Sequence, residues 1–141
     1  MSAESGNTFE RRFPNQFEEL SRVTAEAMGF LEQRGVGGRG LYLANLTLEE
    51  LGTNILKYGY DDRNLHEILL RLEVQPGSLL LLLEDDGHEF DPLKAPAPAL
   101  DRPLEEREPG GLGLHLIRHM TEEMTYERRA ERNRVTVTIR L

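Results

Sequence analysis

The chain has 141 residues, of which 38% are hydrophobic and 30% charged, and it carries a net charge of −8 and no cysteine. That size and balance fit one globular domain with a real core. The missing cysteines exclude disulfides and thiolate metal sites, and four scattered histidines do not favour zinc. No basic block stands out, which argues against a direct nucleic-acid surface, because phosphate neutralisation needs clustered Lys and Arg. A polyphosphate ligand stays open, since backbone N–H groups and a metal can hold one. The opening "MSAESGNTFE" has no apolar signal region. The leucine run at 79–83 is far shorter than the ~20 residues a bilayer span takes. A soluble, cytoplasmic protein without membrane contact is expected, its domain covering 1–141 with residues 1–7 as a disordered tail.

Phe9 and Phe13 alternate with polar residues and predict a short first strand ended by Pro14, after which Asn15 is placed to cap a helix. Phe17, Leu20, Thr24, Ala27 and Leu31 recur at helical spacing, and Gly35 is a natural stop. "RGVGGRG" reads as a loop. Leu41, Ala44, Leu48, Leu51 and Ile55 form a second helical stripe, closed by Gly59 and the Asp61-Asp62 pair. Ile68, Leu70, Leu72 and Val74 alternate as a strand. "QPGS" is a type II turn, and the apolar run at 79–83 reads as its hairpin partner, buried on both faces. Residues 91–109 are rich in Pro and charge and form a long loop, of a length that carries function or disorder. Residues 112–120 are helical. Two last strands, 124–128 and 135–141, flank "AERN" as a hairpin. Strands arriving as neighbouring hairpins predict an α+β two-layer sandwich: a mixed, mainly antiparallel sheet with helices on one face.

Three polar features stand out against this scaffold. Glu50 and Asn54 share a helix face at i, i+4, where a carboxylate and an amide can serve a hydrated Mg²⁺ or accept a proton from a hydroxyl nucleophile. The competing reading is a capping box running from Thr47 to Glu50, which requires the helix to start at Thr47. Asp85 and Gly87 follow a buried strand. A carboxylate there needs a hydrogen-bond donor, such as an adenine amino group, and a glycine lets backbone approach a planar ring; a plain Asp-Gly turn is the alternative. Gly110, Gly111 and Gly113 precede a helix, where free N–H groups and the dipole attract anions. Neither a Walker loop nor GxGxxG is present, and a hinge closing the long loop is the alternative.

Taken in order, "EELGTNILKYGY", "EDDGHEFDP" and "PGGLGLHLI" resemble the N box and two glycine boxes of the GHKL (Bergerat-type) ATP-binding fold. More narrowly, the chain resembles the anti-sigma-factor serine kinases of RsbW and SpoIIAB type, from about position 9 to 141. The resemblance implies ATP and Mg²⁺ as cofactors. It implies Glu50 as the base activating a protein serine, Asn54 as the Mg²⁺ ligand, and Asp85 as the adenine-binding carboxylate with Gly87 by the ring. Gly110, Gly111, Leu112, Gly113 and Leu114 would hold the phosphates, under a lid at 91–109 from which Arg107 reaches the terminal phosphate. It also implies a STAS-type anti-anti-sigma substrate, a sigma factor as second partner, and a homodimer through the sheet's helix-free side or edge. Departures are Tyr58 where the family often has His, Glu89 in place of a second glycine, and Val135 where a threonine is frequent. A non-catalytic binding module and a detached histidine-kinase ATP domain are the competing functions.

Overall fold

A computed structural model of the chain describes residues 2–94 and 111–141. Its strands are β1 (Ser2–Ser5), β2 (Thr8–Pro14), β3 (Glu67–Gln75), β4 (Ser78–Asp85), β5 (Glu123–Arg129) and β6 (Arg132–Arg140). Its helices are α1 (Phe17–Gln33), α2 (Gly38–Tyr58) and α3 (Gly111–Met120), with a 3₁₀ turn at Pro92–Lys94. The strands make one sheet in the order β1-β2-β3-β4-β6-β5, and every pairing is antiparallel. The parallel component allowed for by the sequence reading is therefore missing among the described residues. No helix among them is long and apolar enough to cross a membrane.

The helices lie on one face, and the core is what they enclose. Phe9, Phe13, Leu70, Leu72, Leu79, Leu81, Val137 and Ile139 point up from the sheet to meet Leu31, Leu43 and Leu48. α2 is the centre of the helical layer: α1 packs on one side of it, α3 on the other, and β4 and β6 lie beneath. The α1–α2 contact is close because position 52 is glycine; a methyl there would meet Leu20 at 2.8 Å.

Helix α1 ends in a Schellman arrangement. Gly35 has φ +80°, its N–H donates to Glu32, and the N–H of Val36 donates to Leu31. Its start differs from expectation. Gln16 is the N-cap residue, without a side-chain cap bond, and the Asn15 carboxamide instead accepts from the His66 N–H at 2.8 Å, extending the β2–β3 ladder by one tie. Part of the expected "RGVGGRG" loop is helical, since α2 begins at Gly38.

Two further expectations are corrected. β4 is buried on one face only: Leu79, Leu81 and Leu83 are buried while Leu80 and Leu82 are half-exposed. With helices on a single face, the opposite side of even a central strand stays near solvent. Residues 1–7, expected as a tail, include β1, which adds to the edge of β2; backbone pairing of this kind leaves no apolar pattern in the sequence.

The β5–β6 hairpin turns through Ala130 (φ 52°) and Glu131 (φ 63°), a pair of left-handed residues normally supplied by Asn-Gly. Each non-glycine residue in that region costs about 1–2 kcal/mol. Glu131→Gly is expected to stabilise the fold by about 1 kcal/mol, read as a higher midpoint in chemical denaturation with an unchanged slope. An unchanged or lower midpoint would show that the turn is not strained.

Candidate functional site

α2 runs from Gly38, so Thr47 lies well inside the helix and the capping-box reading of Glu50 falls. What Glu50 touches instead is α3. A methyl group built on Gly113 would overlap the Glu50 carboxylate, so the first turn of α3 passes directly over that side chain, and the carboxylate keeps its place only because the Cα is bare. Burial pushes the Glu50 carboxyl above the ordinary range; the Glu49 charge adds to the shift and Lys57 opposes it. Gly111 to Leu114 supply the first four N–H groups of α3, which have no partner within the helix. The Leu114 side chain is in the core, so only its backbone is available to a ligand. Arg107 and Gly110 lie outside the described residues, as does all of the 91–109 lid beyond Lys94.

One turn further along α2, Asn54 is buried at 9% exposure, and its amide nitrogen has no hydrogen-bond partner among the described residues. An unmade bond on a buried polar group costs about 1–3 kcal/mol, and whichever way the amide is turned it presents polar atoms to a missing partner. Asn54 faces a cleft between α2, the end of β4 and the start of β6, with Leu51, Ile55, Leu83, Val135, Phe90 and Pro92 as apolar walls. The cleft encloses about 30 Å³, within about 470 Å³ counted to its mouth. That enclosed part is well below the ~300–1,000 Å³ of a ligand pocket, so the cleft has to widen to admit a ring; Phe90 stands at its rim, 44% exposed.

Asp85 closes the inner end of the cleft at 4% exposure. Its Oδ1 accepts two hydrogen bonds, from the Gly87 N–H at 2.9 Å and from Asn133 Nδ2 at 3.0 Å. Burial pushes this carboxyl above its ordinary range; the two hydrogen bonds and Arg128 pull the other way, and Asp86 adds to the rise. An apolar slot with one buried carboxylate suits a planar ring carrying an amino donor.

Gly87 meets a demand that the sequence reading did not anticipate. It does not line the cleft. A methyl there would meet the Gly59 carbonyl oxygen at 2.5 Å, and that same oxygen accepts from the His88 N–H at 2.8 Å. Its bareness seats the end of α2 on the Asp85 turn.

Asn54 and Asp85 thus share one cleft. Glu50 does not line it: one turn back along α2 it lies against Gly113 of α3 and borders a separate hollow with Phe17, Leu20 and Thr24 of α1. Among the described residues no cluster of three His, Asp or Glu side chains could hold a cation unaided, so a metal near Asn54 depends on ligand oxygens. A buried amide nitrogen without a partner among the described residues, one turn from the Glu50 that meets the start of α3, fits a metal-bridged polyphosphate, which supplies both acceptors and a cation.

Asn133 was missed in the sequence because "AERN" reads as a turn. The turn proper is only Ala130-Glu131. Asn133 has the parity of Val135 and Val137, which was the available signal, and it sits directly opposite Asp85 across the β4–β6 ladder. Val135 does line the cleft, where the resemblance expects threonine, and Thr136 points to the other face.

Comparison with known proteins agrees with this geometry. The Histidine kinase-like ATPase domain family matches residues 13–139. The serine/threonine-protein kinase BtrW of Bordetella bronchiseptica is 32% identical over 97 residues, which cover 69% of this chain and 68% of that protein. The serine-protein kinase RsbW of Staphylococcus aureus is 26% identical over 121 residues, covering 82% and 76%. With nearly the whole of the sheet and helical layer inside the matched span, the chain belongs to the Histidine kinase-like ATPase domain family.

Proposed function

We propose that this chain is a Mg·ATP-dependent serine protein kinase that also acts as an anti-sigma factor, phosphorylating a STAS-type anti-anti-sigma protein and binding a sigma factor. What carries the reading is the orphaned, buried Asn54 amide, which lines a carboxylate-ended apolar cleft one helical turn from a carboxylate pressed against a helix N-terminus. The names of BtrW and RsbW as serine kinases support it.

Bound Mg·ATP supplies the transferable phosphoryl group and the cation that offsets its charge. The chain's own residues do the rest. Asp85 accepts a hydrogen bond from the adenine amino group, and Leu83 and Val135 wall the ring. Asn54 offers its carbonyl oxygen to the cation and its N–H to phosphate oxygen. The first N–H groups of α3 hold the phosphates. Glu50, a base with a raised pKa, takes the proton of the substrate serine hydroxyl.

The test is to incubate the chain with Mg·ATP and its cognate STAS-type protein and to look for phosphoserine by mass spectrometry, with native mass spectrometry of the sigma complex in parallel. Phosphoserine on the partner and a stable sigma complex are expected. ATP binding without transfer to any cognate partner would leave a non-catalytic binding module.

The Gly113–Glu50 contact yields a separate prediction. Gly113→Ala places a methyl on the Glu50 carboxylate and is expected to lower the transfer rate at least ~10-fold, on the scale of a misplaced general base. Stability is expected to hold or rise by up to ~1 kcal/mol, because alanine is the better helix residue. Full activity in the variant would mean that Glu50 does not need its present position.

A further inference from the structure

The Asp85 carboxylate does not stand alone in the cleft. Asn133, 5% exposed, is the hub of a polar cluster beneath it. Its Nδ2 donates to Asp85 Oδ1 at 3.0 Å and to the His88 carbonyl at 2.6 Å. Its Oδ1 accepts from the Tyr126 hydroxyl at 2.7 Å, from Arg128 at 3.1 Å and from the Phe90 N–H at 3.4 Å. Three donors on one side and two acceptors on the other allow the amide one orientation only, because a flip would set donors against donors.

We propose that Asn133 is a specificity-determining positioning residue: by saturating one oxygen of Asp85 it leaves a single acceptor facing the cleft, and so selects a 6-amino purine over guanine. The inference deepens the nucleotide-binding reading and rests on it. A carboxylate with both oxygens free can accept two parallel bonds and would take the N1–H and 2-amino group of guanine as a pair. An oxygen carries two lone pairs, and on Asp85 Oδ1 both are taken, by the Gly87 N–H and by Asn133. One free oxygen suits the single amino group of adenine and offers guanine only half its pair. The Gly87 bond belongs to the turn itself, so the side chain at 133 is the variable part.

Asn133→Asp separates this role from mere packing. The new carboxylate is isosteric and keeps the donors Tyr126, Arg128 and Phe90, but it turns an acceptor toward Asp85. Isothermal titration of the full chain with Mg·ATP and Mg·GTP across pH 6–9 reads the result. For wild type, ATP is expected to bind at least ~10-fold more tightly than GTP, the scale of one hydrogen bond to a charged group. In Asn133→Asp that ratio is expected to narrow about tenfold at pH 8 and to recover on acidification, as a shared proton restores a donor to Asp85. Asn133→Ala, checked for folding by circular dichroism, should narrow the ratio at every pH. The other groups around Asp85, namely Asp86, Tyr60, His88 and Arg128, are the same in all three proteins and cannot produce the difference. Folded variants with the wild-type ratio and pH profile would overturn the inference while leaving the nucleotide reading intact. A wild type that binds neither nucleotide removes both.

Discussion

Glu50→Gln is expected to lower phosphoryl transfer to the partner serine at least ~100-fold, the scale of a lost general base, while ATP affinity stays within about twofold because no ground-state contact is removed. Glu50 is half-buried beneath the first turn of α3, and Gln fits the same space against Gly113. The pH dependence gives a second reading. A base must be ionised to accept a proton, and burial, reinforced by Glu49, raises the pKa of this one. The wild-type rate should therefore fall as pH drops through a value above the ordinary glutamate range, and that limb should be missing from the residual activity of the variant. Stability should not suffer. A carboxyl whose folded pKa is raised favours the fold below its unfolded pKa and loses that contribution as pH rises through the folded one, so a neutral amide is no worse at neutral pH. Activity within a few-fold of wild type, or a wild-type pH limb in the variant, would remove Glu50 from the chemistry.

What could be read in the sequence was what depends on neighbours along the chain. Glu50 and Asn54 are four apart on one helix, and the apolar stripe from Leu41 was enough to place both on a face bordering the core. Gly35 and Gly77 announced their turns, and both have the positive φ those turns demand. What could not be read depends on register across the sheet. Asp85 meets Asn133 only because β4 pairs with β6 in one particular alignment, and nothing local to either residue reports it. Gly87 was noticed for its bareness, but the neighbour that needs it could not be seen, since the Gly59 carbonyl that fills its space comes from the far end of another helix. The leucines of β4 were misjudged for a related reason: an unbroken apolar run gives no sign that the helices cover one face only. β1 was invisible because backbone hydrogen bonds at a sheet edge ask nothing of side chains.

Asp85→Asn is expected to separate binding from stability most sharply, raising stability while weakening ATP binding. The carboxylate is 4% exposed, and its burial pushes its pKa up against the pull of Asn133 and the Gly87 N–H. The folded state therefore holds this proton longer than the unfolded chain does. Its favourable contribution is present below the ordinary aspartate range and is lost as pH rises through the folded pKa, so ionising this group works against the ligand-free fold. An asparagine keeps both accepted hydrogen bonds through its carbonyl oxygen and removes the charge. The melting temperature at pH 7.5 should rise by about 2–6 °C, equivalent to ~1 kcal/mol for a domain of this size, and the gain should shrink toward pH 4. The nitrogen of the new amide takes the place of the free oxygen and turns a donor toward the cleft, where an adenine amino group also brings donors. ATP affinity should fall about 100-fold, the upper scale for a hydrogen bond to a charged group. A variant that melts higher but keeps its affinity would make Asp85 a structural acid rather than a reader of the base. One that melts lower would show that the buried charge is better compensated than its surroundings indicate.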